Sequence, residues 1–112
     1  MTDCLFCAIV AGEIPADFVH RGDRVVAFRD IAPHAPTHVL VVPKEHHANI
    51  AELAAADPAL AGEIAAVAAD VAAAEGIADG WRLLFNTGAD AGQTVFHVHG
   101  HVLGGRPLRG LG

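Results

Sequence analysis

Apolar residues recur at helical spacing in the second half of the chain, and this pattern predicts one main helix. The recurring positions are Leu60, Ile64, Val67 and Val71. Asp57 followed by Pro58 is a typical helix start, because the carboxylate caps free backbone N–H groups and proline suits the first turn. We therefore predict a helix from Pro58 to about Glu75 that ends at Gly76.

Four other segments of strand length are rich in apolar and β-branched residues. They cover residues 25–28, 38–42, 81–85 and 95–103. A short helix is predicted at the N-terminus over Cys4–Ala11, with Asp3 as its cap and Gly12 as its stop. Strands combined with one main helix and a short N-terminal helix indicate an α+β fold, in which the helices pack on one face of an antiparallel sheet.

The composition limits the classes of protein to which this chain can belong. A chain of 112 residues with 53% hydrophobic content is expected to form one domain over residues 1–112. The net charge of −6 argues against binding to nucleic acid and against a polybasic membrane anchor. The N-terminal residues show no signal-peptide pattern and no window resembles a membrane span, so we expect a cytoplasmic protein.

Three histidines alternate with other residues in the last predicted strand. Since side chains on a strand point to opposite faces in turn, His97, His99 and His101 should share one face. Val98 and Val102 should then point to the core. A solvent-exposed row of histidines, a three-histidine metal site and nucleophilic catalysis by one imidazole are all compatible with this pattern.

The loop before this strand, residues 86–94, contains groups that bind phosphate. Gly88 and Gly92 allow backbone amides to point at an anion. Gln93 adds an amide side chain and Thr94 adds a hydroxyl group. Because these donors stand directly before the histidines, the combination favours catalysis on a phosphate-containing substrate.

Several segments, in their order along the chain, resemble the histidine-triad (HIT) family, and most closely its branch of Hint-like purine nucleoside phosphoramidases. The resemblance covers nearly the whole chain. It is carried by residues 13–16, 27–31, 35–44, 86–88 and 91–106, and the last of these segments contains the sequence GQTVFHVHGHVLGG. It implies a HIT-like fold, a homodimer in which two sheets join side by side, and a purine nucleotide as substrate.

The resemblance also implies a reaction and roles for individual residues. A nucleoside phosphoramidate or a related adenylate would be cleaved through a nucleotidyl-histidine on His99, without a metal ion in the chemistry. His38 and His101 would orient and support His99, and His97 completes the triad. The residues implied to bind the nucleotide are Ile9, Ile14, Phe28, Asp30, Ile31, Asn86, Gly92, Gln93, Thr94, His99 and His101.

Cys4 and Cys7 have the Cys-x-x-Cys spacing of half a zinc site. Taken alone, the pair is equally compatible with two reduced cysteines at a helix end. In the Cys-containing members of the family that the sequence resembles, two histidines complete the site, which implies a structural zinc ion. The implied ligands are Cys4, Cys7, His46 and His97.

Two other functions remain compatible with the sequence. A dinucleoside polyphosphate hydrolase would use the same triad on a dinucleotide, and a non-catalytic nucleotide-binding or zinc-stabilised interaction module would bind without turnover. Residues 104–106, Gly-Gly-Arg, favour the phosphoramidase branch.

Gly100 stands where the family prefers an apolar residue, so we expect thin packing behind the triad. His34 is expected at the surface.

Overall fold

Five antiparallel strands form one sheet in the computed structural model, which describes residues 4–110. The strands are β1 (Phe18–Arg21), β2 (Val25–Arg29), β3 (Thr37–Pro43), β4 (Trp81–Leu84) and β5 (Gly100–Gly104). They lie in the order β1-β2-β3-β5-β4, so β3 is central. The helices are α1 (Leu5–Val10), α2 (Ile50–Ala56) and α3 (Pro58–Ala74), and a 3-10 turn covers Ala89–Ala91. The predicted α+β fold with an antiparallel sheet is confirmed.

The two faces of the sheet build separate cores. Val39 and Val41 of β3 pack against α3, with α2 beside it, whereas Leu40 and Val42 pack against α1. The expectation that the helices share one face therefore holds for α2 and α3, but α1 covers the opposite face. A strand that is apolar at every position needs cover on both of its sides, and α1 supplies the second cover.

The helices begin at polar caps. Asp57 starts α3 as predicted, since its Oδ1 accepts the N–H of Leu60 at 3.1 Å and its Oδ2 lies 2.7 Å from the Arg24 guanidinium. The sequence does not predict α2, which Asn49 caps by accepting the N–H of Glu52 at 2.9 Å. A seven-residue helix with one buried side chain has too little periodicity to detect. None of the three described helices has the length and hydropathy needed to cross a bilayer.

The N-terminal helix α1 is slightly shorter than predicted. Cys4 occupies its cap position, and the sulfur of Cys4 accepts the N–H of Cys7 at 3.3 Å. The predicted cap, Asp3, lies outside the described residues. A thiol is not among the favoured helix caps, so the position of Cys4 points to a further role for its sulfur.

The last strand begins later than predicted, at Gly100. Residues 95–99 are irregular, and the N–H of Val98 donates to the carbonyl of His47, in the loop after β3, at 2.7 Å. The predicted strand is therefore wrong over its first half, because this backbone pairs with a loop instead of a strand. Val98 and Val102 are nevertheless buried beneath α3, as the alternation predicts.

The sequence also does not predict strand β1. It is a four-residue edge strand, and its register with β2 shifts between Phe18 and His20. Such a bulge interrupts the alternation of side chains, so the local pattern is too weak to identify the strand.

The space beside Gly100 is filled by two side chains. A Cβ atom on Gly100 would lie 2.7 Å from Cδ1 of Leu83 and 3.1 Å from Cζ of Phe85. The expected thin packing behind the triad is therefore wrong. Neighbours from β4 and the residue after it occupy the room that a larger residue would take.

Replacing Gly100 by leucine is expected to destabilise the fold by about 1–3 kcal/mol, because extra carbon atoms in a filled core force neighbours apart. Gly62→Ala is the matched control. Apart from its chain neighbours and the backbone of its own helix α3, no atom lies within 4 Å of a Cβ there, and the change should stabilise by about 0.5–1 kcal/mol. Urea denaturation midpoints measure both. A gain in stability for Gly100→Leu would show that the back of the triad is underpacked.

Candidate active site and metal centre

Two cavities meet beside His101. The larger has a volume of about 680 Å³ and the smaller about 470 Å³, and both are lined by Asp30, Thr94 and His101. The larger cavity is lined by five further predicted nucleotide-binding residues, namely Ile9, Ile14, Phe28, Ile31 and His99. The smaller cavity is more polar, and its further lining includes His34, His38, Asn86 and Gly92.

The three triad histidines lie on one side of their segment, as the alternation predicts. The ring centroids of His99 and His101 are 4.9 Å apart, and the Phe6 ring contacts both His97 and His99 edge-on. The three rings do not form one site, however. His97 is fully buried and its ring turns to the two cysteines, whereas His99 and His101 line the cavities. The geometry therefore does not build a three-histidine metal site.

His99 is oriented by the backbone of its neighbour. Its Nδ1 lies 2.8 Å from the carbonyl oxygen of His97, and since a carbonyl only accepts, Nδ1 carries the hydrogen and donates it. Nε2 therefore keeps its lone pair, on a ring that lines the larger cavity. Burial lowers the pKa of His99, against the smaller upward effects of the His97 carbonyl and the Asp30 charge. The imidazole is accordingly neutral near pH 7.

A chain of hydrogen bonds links His34, His38 and His101. The backbone N–H of His34 donates to Nδ1 of His38 at 3.1 Å, so a neutral His38 carries its hydrogen on Nε2. That hydrogen is donated to Nδ1 of His101 at 2.9 Å. The hydrogen of a neutral His101 then lies on Nε2, a buried atom that has no partner in the described part of the chain. A buried donor without an acceptor is costly, so this N–H is available to an acceptor that enters the adjoining cavities.

Burial keeps this chain of imidazoles uncharged. It lowers the pKa of His38, although the Asp30 carboxylate lies 3.5 Å from His38 Nε2 and opposes the shift. It also lowers the pKa of His101 to about 4, and the neighbouring histidines add to the effect. Asp30, His38 and His101 are close enough together to hold a metal ion. Since one hydrogen already joins the two facing ring nitrogens, we assign the group to a hydrogen-bond network.

The loop over residues 86–94 contributes unevenly to the cavities. Three of its predicted residues line the smaller cavity: Asn86, Gly92 and Thr94. The side chain of Gln93 is instead buried, and it donates to the carbonyls of Ala48 at 2.7 Å and Val95 at 3.1 Å. Its oxygen accepts the N–H of Gly88 at 2.9 Å. We therefore assign Gln93 to holding the loop in place.

The apolar wall of the larger cavity is part buried and part exposed. Ile9 and Phe28 are buried, whereas Ile14 is 37% exposed and Ile31 is completely exposed. No residue within 4–110 covers the side chain of Ile31, which lies beside an apolar cavity. It is available to cover a flat apolar ligand in that cavity.

Cys4, Cys7, His46 and His97 form a compact cluster that could hold a metal ion, and these are the four ligands that the resemblance implies. Nδ1 of His97 lies 3.3 Å from Cys4 Sγ, 3.4 Å from Cys7 Sγ and 3.1 Å from Nδ1 of His46. The Nε2–H of His97 donates to the carbonyl of Pro43 at 2.8 Å, so Nδ1 keeps its lone pair. No single hydrogen can join these four atoms, whereas one cation can.

The spacing of the four atoms fits zinc. Tetrahedral zinc binds sulfur at about 2.3 Å and nitrogen at about 2.0–2.1 Å, which places neighbouring S and N atoms roughly 3.6 Å apart and two N atoms roughly 3.4 Å apart. The cluster shows S–N distances of 3.3, 3.4 and 3.5 Å and an N–N distance of 3.1 Å. Without a cation, burial and the neighbouring Cys4 raise the pKa of Cys7 to about 11, so Cys7 becomes a thiolate ligand near pH 7 only when a metal ion replaces its proton.

Two residues of the site were missed in the sequence interpretation. His34 is exposed as expected, but its backbone N–H orients His38 and its ring lines the smaller cavity. The two prolines that flank it at 33 and 36, just before the strand that contains His38, are the signal that points to it. Phe6 lies inside the Cys-x-x-Cys sequence and reaches the site because α1 folds over the sheet, for which the sequence carries no local signal.

Comparison with known proteins agrees with this geometry. A family model described as HIT domain matches residues 11–108. A purine nucleoside phosphoramidase of Escherichia coli strain K12 is 46% identical over 107 residues, which are 95% of this chain and 90% of that protein. A HIT family hydrolase of Legionella pneumophila is 46% identical with a TM-score of 0.92 and 96% of both chains covered. A histidine triad protein of Clostridium difficile is 39% identical with a TM-score of 0.93, covering 100% of this chain and 98% of that one.

The fold, the triad and these relatives together define the class of protein as a hydrolase of the histidine-triad type. This chain belongs to the HIT family. The resemblance seen in the sequence is thereby confirmed, and with it the prediction that the chain is an enzyme.

His46→Asn is expected to abolish tight metal binding, whereas His47→Asn is not. Nδ1 of His46 lies 3.5 Å from Cys7 Sγ, while Nε2 of its neighbour His47 lies 2.7 Å from a Glu45 oxygen. Elemental analysis after dialysis should find about one metal ion per chain in the unmodified protein and in His47→Asn, as a four-ligand site requires. Equal metal content in the two variants would contradict the assignment of His46.

The stability of the fold should fall as the pH is lowered from 6.5 towards 4, and His101 should account for part of this loss. The pKa of His101 is about 4 in the folded chain against an ordinary 6.5, so the unfolded chain binds more protons within this window. The contribution of His101 to the free energy of unfolding is complete above its ordinary pKa of 6.5. It is lost as the pH falls towards the pKa of about 4 in the folded chain.

The measurement is the melting temperature between pH 7 and about pH 4. His101→Gln has no ring to protonate and should show a smaller decrease than the unmodified protein. His20→Gln, which changes a histidine outside the cavities, should follow the unmodified protein. Identical decreases in all three proteins would show that His101 does not contribute.

Proposed function

We propose that this HIT hydrolase is a purine nucleoside phosphoramidase, which cleaves the phosphorus–nitrogen bond of a nucleoside phosphoramidate or a related adenylate. The observation that carries the proposal is the orientation of His99, whose Nδ1–H is bound to the His97 carbonyl and whose Nε2 lone pair is free beside an apolar cavity. A neutral, oriented imidazole is a good nucleophile near pH 7. The name of the Escherichia coli relative supports the same reaction.

The proposed binding mode places the purine in the larger cavity, between Phe28 and the exposed Ile31, because a flat base suits apolar walls. Asp30 then accepts hydrogen bonds from the ribose hydroxyls. The N–H of Ala32 holds its Oδ1 at 2.8 Å, which fixes the carboxylate where the two cavities meet. The phosphate would lie near Thr94, which lines both cavities.

The proposed chemistry has two steps on the same phosphorus atom. The Nε2 lone pair of His99 forms a bond to phosphorus, the bond to the leaving nitrogen breaks, and that nitrogen takes the electron pair and a proton from solvent. Water then attacks the phosphorus, the bond to Nε2 breaks, and the nucleoside monophosphate leaves with release of one proton. Neutral His99 is restored, so the net reaction consumes one water molecule.

The hydrogen-bond network assists both steps in this proposal. Nδ1–H of His99 stays bound to the His97 carbonyl, which stabilises the positive charge on the ring of the nucleotidyl-histidine. The unpartnered Nε2–H of His101 donates to a phosphoryl oxygen, where negative charge develops in the transition state. His38 donates its Nε2–H to Nδ1 of His101. Because Nδ1 of His101 then acts as an acceptor, the hydrogen of neutral His101 stays on its own Nε2.

We further propose that the ion in the Cys–His cluster is zinc and that its role is structural. Two sulfur and two nitrogen ligands complete a tetrahedral shell, which leaves no open position for substrate or water. When bound, the ion supplies a cross-link between α1, the loop after β3 and the segment before β5. The reducing cytoplasm is the proposed location, because it keeps the two thiols available to the metal.

A homodimer is also proposed, with two sheets joined side by side. Strand β4 forms one edge of the sheet, and it pairs with β5 on its inner side. Edge strands have unpaired backbone groups, and a second copy of the same edge would pair with them in a closed two-fold arrangement.

The central test is turnover of adenosine 5′-phosphoramidate by the unmodified protein and by His99→Asn, read as release of free amine. The variant should lose at least about a thousandfold in kcat, because the attacking atom is gone, while its affinity for AMP stays within a few-fold. His20→Asn, a change of the same kind outside the cavities, should leave turnover unchanged. Rapidly quenched unmodified protein should carry one adenylyl group on the peptide that contains His99.

Other results would favour the alternatives. Faster turnover of a diadenosine polyphosphate than of the phosphoramidate would indicate a dinucleoside polyphosphate hydrolase. Binding of AMP without turnover of either substrate would indicate a non-catalytic nucleotide-binding module. Turnover that survives in His99→Asn would exclude the nucleotidyl-histidine.

A further inference from the structure

We infer that the metal cluster and the larger cavity are coupled through helix α1, so that metal binding and nucleotide binding strengthen each other. The inference rests on the proposed function in one respect, because it takes the larger cavity to be the nucleotide site. Phe6 is the positioning residue that joins the two sites, and the His97 backbone is a second link between them.

The first argument is how weakly α1 is otherwise attached. Within the described chain, the backbone hydrogen bonds of residues 4–13 all close inside that segment, and none of them reaches the sheet. Two kinds of interaction hold α1 in place. One is apolar packing of Phe6 and Ile9 on the sheet, and the other is the contact of Cys4 and Cys7 with the histidine pair.

The second argument is that α1, together with the residues that directly follow it, forms one wall of the larger cavity. Seven of the sixteen residues that line the larger cavity come from residues 5–17. Leu5 and Phe6 lie between the two metal-binding cysteines, and Ile9 follows one turn later. A metal ion that fixes both cysteines therefore also fixes one wall of the cavity.

The third argument is the position of Phe6 between the two sites. Its ring centroid lies 6.0 Å from that of His97 and 4.9 Å from that of His99, with both contacts edge-on. It also packs edge-on against Phe28 at 5.5 Å. A shift of α1 would thus alter the surroundings of one metal ligand, of the nucleophile and of the purine-binding wall at once.

The fourth argument is the dual contact of His97. Its ring nitrogen belongs to the metal cluster, while its carbonyl oxygen accepts the Nδ1–H of His99 at 2.8 Å. Holding the ring of His97 therefore also holds the carbonyl that selects the tautomer of His99. Loss of the metal would loosen this orientation along with the cavity wall.

Thermodynamic linkage gives the inference a quantitative form. If the metal orders α1 before the nucleotide binds, the nucleotide no longer has to order it, and affinity increases. The factor by which the metal raises nucleotide affinity must equal the factor by which the nucleotide raises metal affinity. Coupling between ordered sites is commonly 5- to 150-fold, and we expect about tenfold here.

The test measures both halves of this cycle. The Kd of AMP is measured by titration calorimetry for the zinc-loaded protein and for the chelator-treated protein, with circular dichroism to check that both are folded. The Kd of Zn²⁺ is measured by competition with a chelating indicator, with and without saturating AMP. We expect removal of zinc to raise the Kd of AMP about tenfold and AMP to lower the Kd of Zn²⁺ by the same factor.

Two aromatic variants separate the coupling from general packing. Phe6→Ala should keep zinc bound but reduce the coupling factor towards one, because the contact between the two sites is gone. Phe18→Ala is the matched control: Phe18 also packs edge-on against Phe28, at 5.9 Å, but it lies outside the cavity lining and the metal cluster. It should retain the full factor.

The outcomes are distinguishable from failure of the proposed function. If zinc-loaded protein does not bind AMP, both the proposed nucleotide site and the coupling are wrong. If AMP binds with equal affinity with and without zinc, the coupling alone is wrong. An unchanged coupling factor in Phe6→Ala would show that Phe6 does not couple the metal cluster to the cavity.

If the zinc-free chain unfolds, amide hydrogen exchange in the zinc-loaded protein gives the second measurement. AMP should slow exchange of the α1 amides at least several-fold in the unmodified protein and in Phe18→Ala, but not in Phe6→Ala. No added protection of α1 in the unmodified protein would overturn the inference.

Discussion

The site depends on a single buried residue, His97, whose ring and backbone serve different neighbours. The ring donates from Nε2 to the Pro43 carbonyl and turns Nδ1 to the two cysteines, while the carbonyl oxygen accepts the Nδ1–H of His99. This arrangement requires the backbone to leave the regular sheet before β5 begins, since a ladder would direct its carbonyls to neighbouring strands. The irregular segment 95–99 is thus the structural condition for the fixed orientation of the His99 ring.

Burial is the second constraint, because it keeps four imidazoles uncharged. Desolvation is the largest cause of the lowered pKa of His38, His97, His99 and His101. A neutral imidazole both donates and accepts, so a chain from His34 through His38 to His101 has a defined direction and ends in a free N–H. A protonated ring has no acceptor, and the same chain could not form. The burial that keeps these rings neutral is therefore what allows the chain of hydrogen bonds to form.

The elements that the sequence predicts well are those with local causes. Helix α3 begins at Asp57 and Pro58 because the cap and the first-turn proline act within one turn of the chain. The burial of Val98 and Val102 follows from alternation even where the strand is irregular. The elements that it misses depend on distant contacts: β1 is an interrupted edge strand, and α1 covers the second face because β3 needs cover there. Likewise, only the neighbours Leu83 and Phe85 show that the space at Gly100 is already filled.

The amino-acid sequence by itself determined the main helix and which residue types are available for chemistry, since periodicity and composition are properties of the chain alone. It also carried the resemblance to the HIT family, through ordered segments such as residues 91–106. Only the tertiary structure decided how those residues divide between two sites. Cys4 and His97 are 93 positions apart, and their side chains meet because α1 folds across the sheet. The tautomer of each imidazole was decided in the same way, because it depends on whether the fold places a donor or an acceptor 2.8–3.1 Å from a given ring nitrogen.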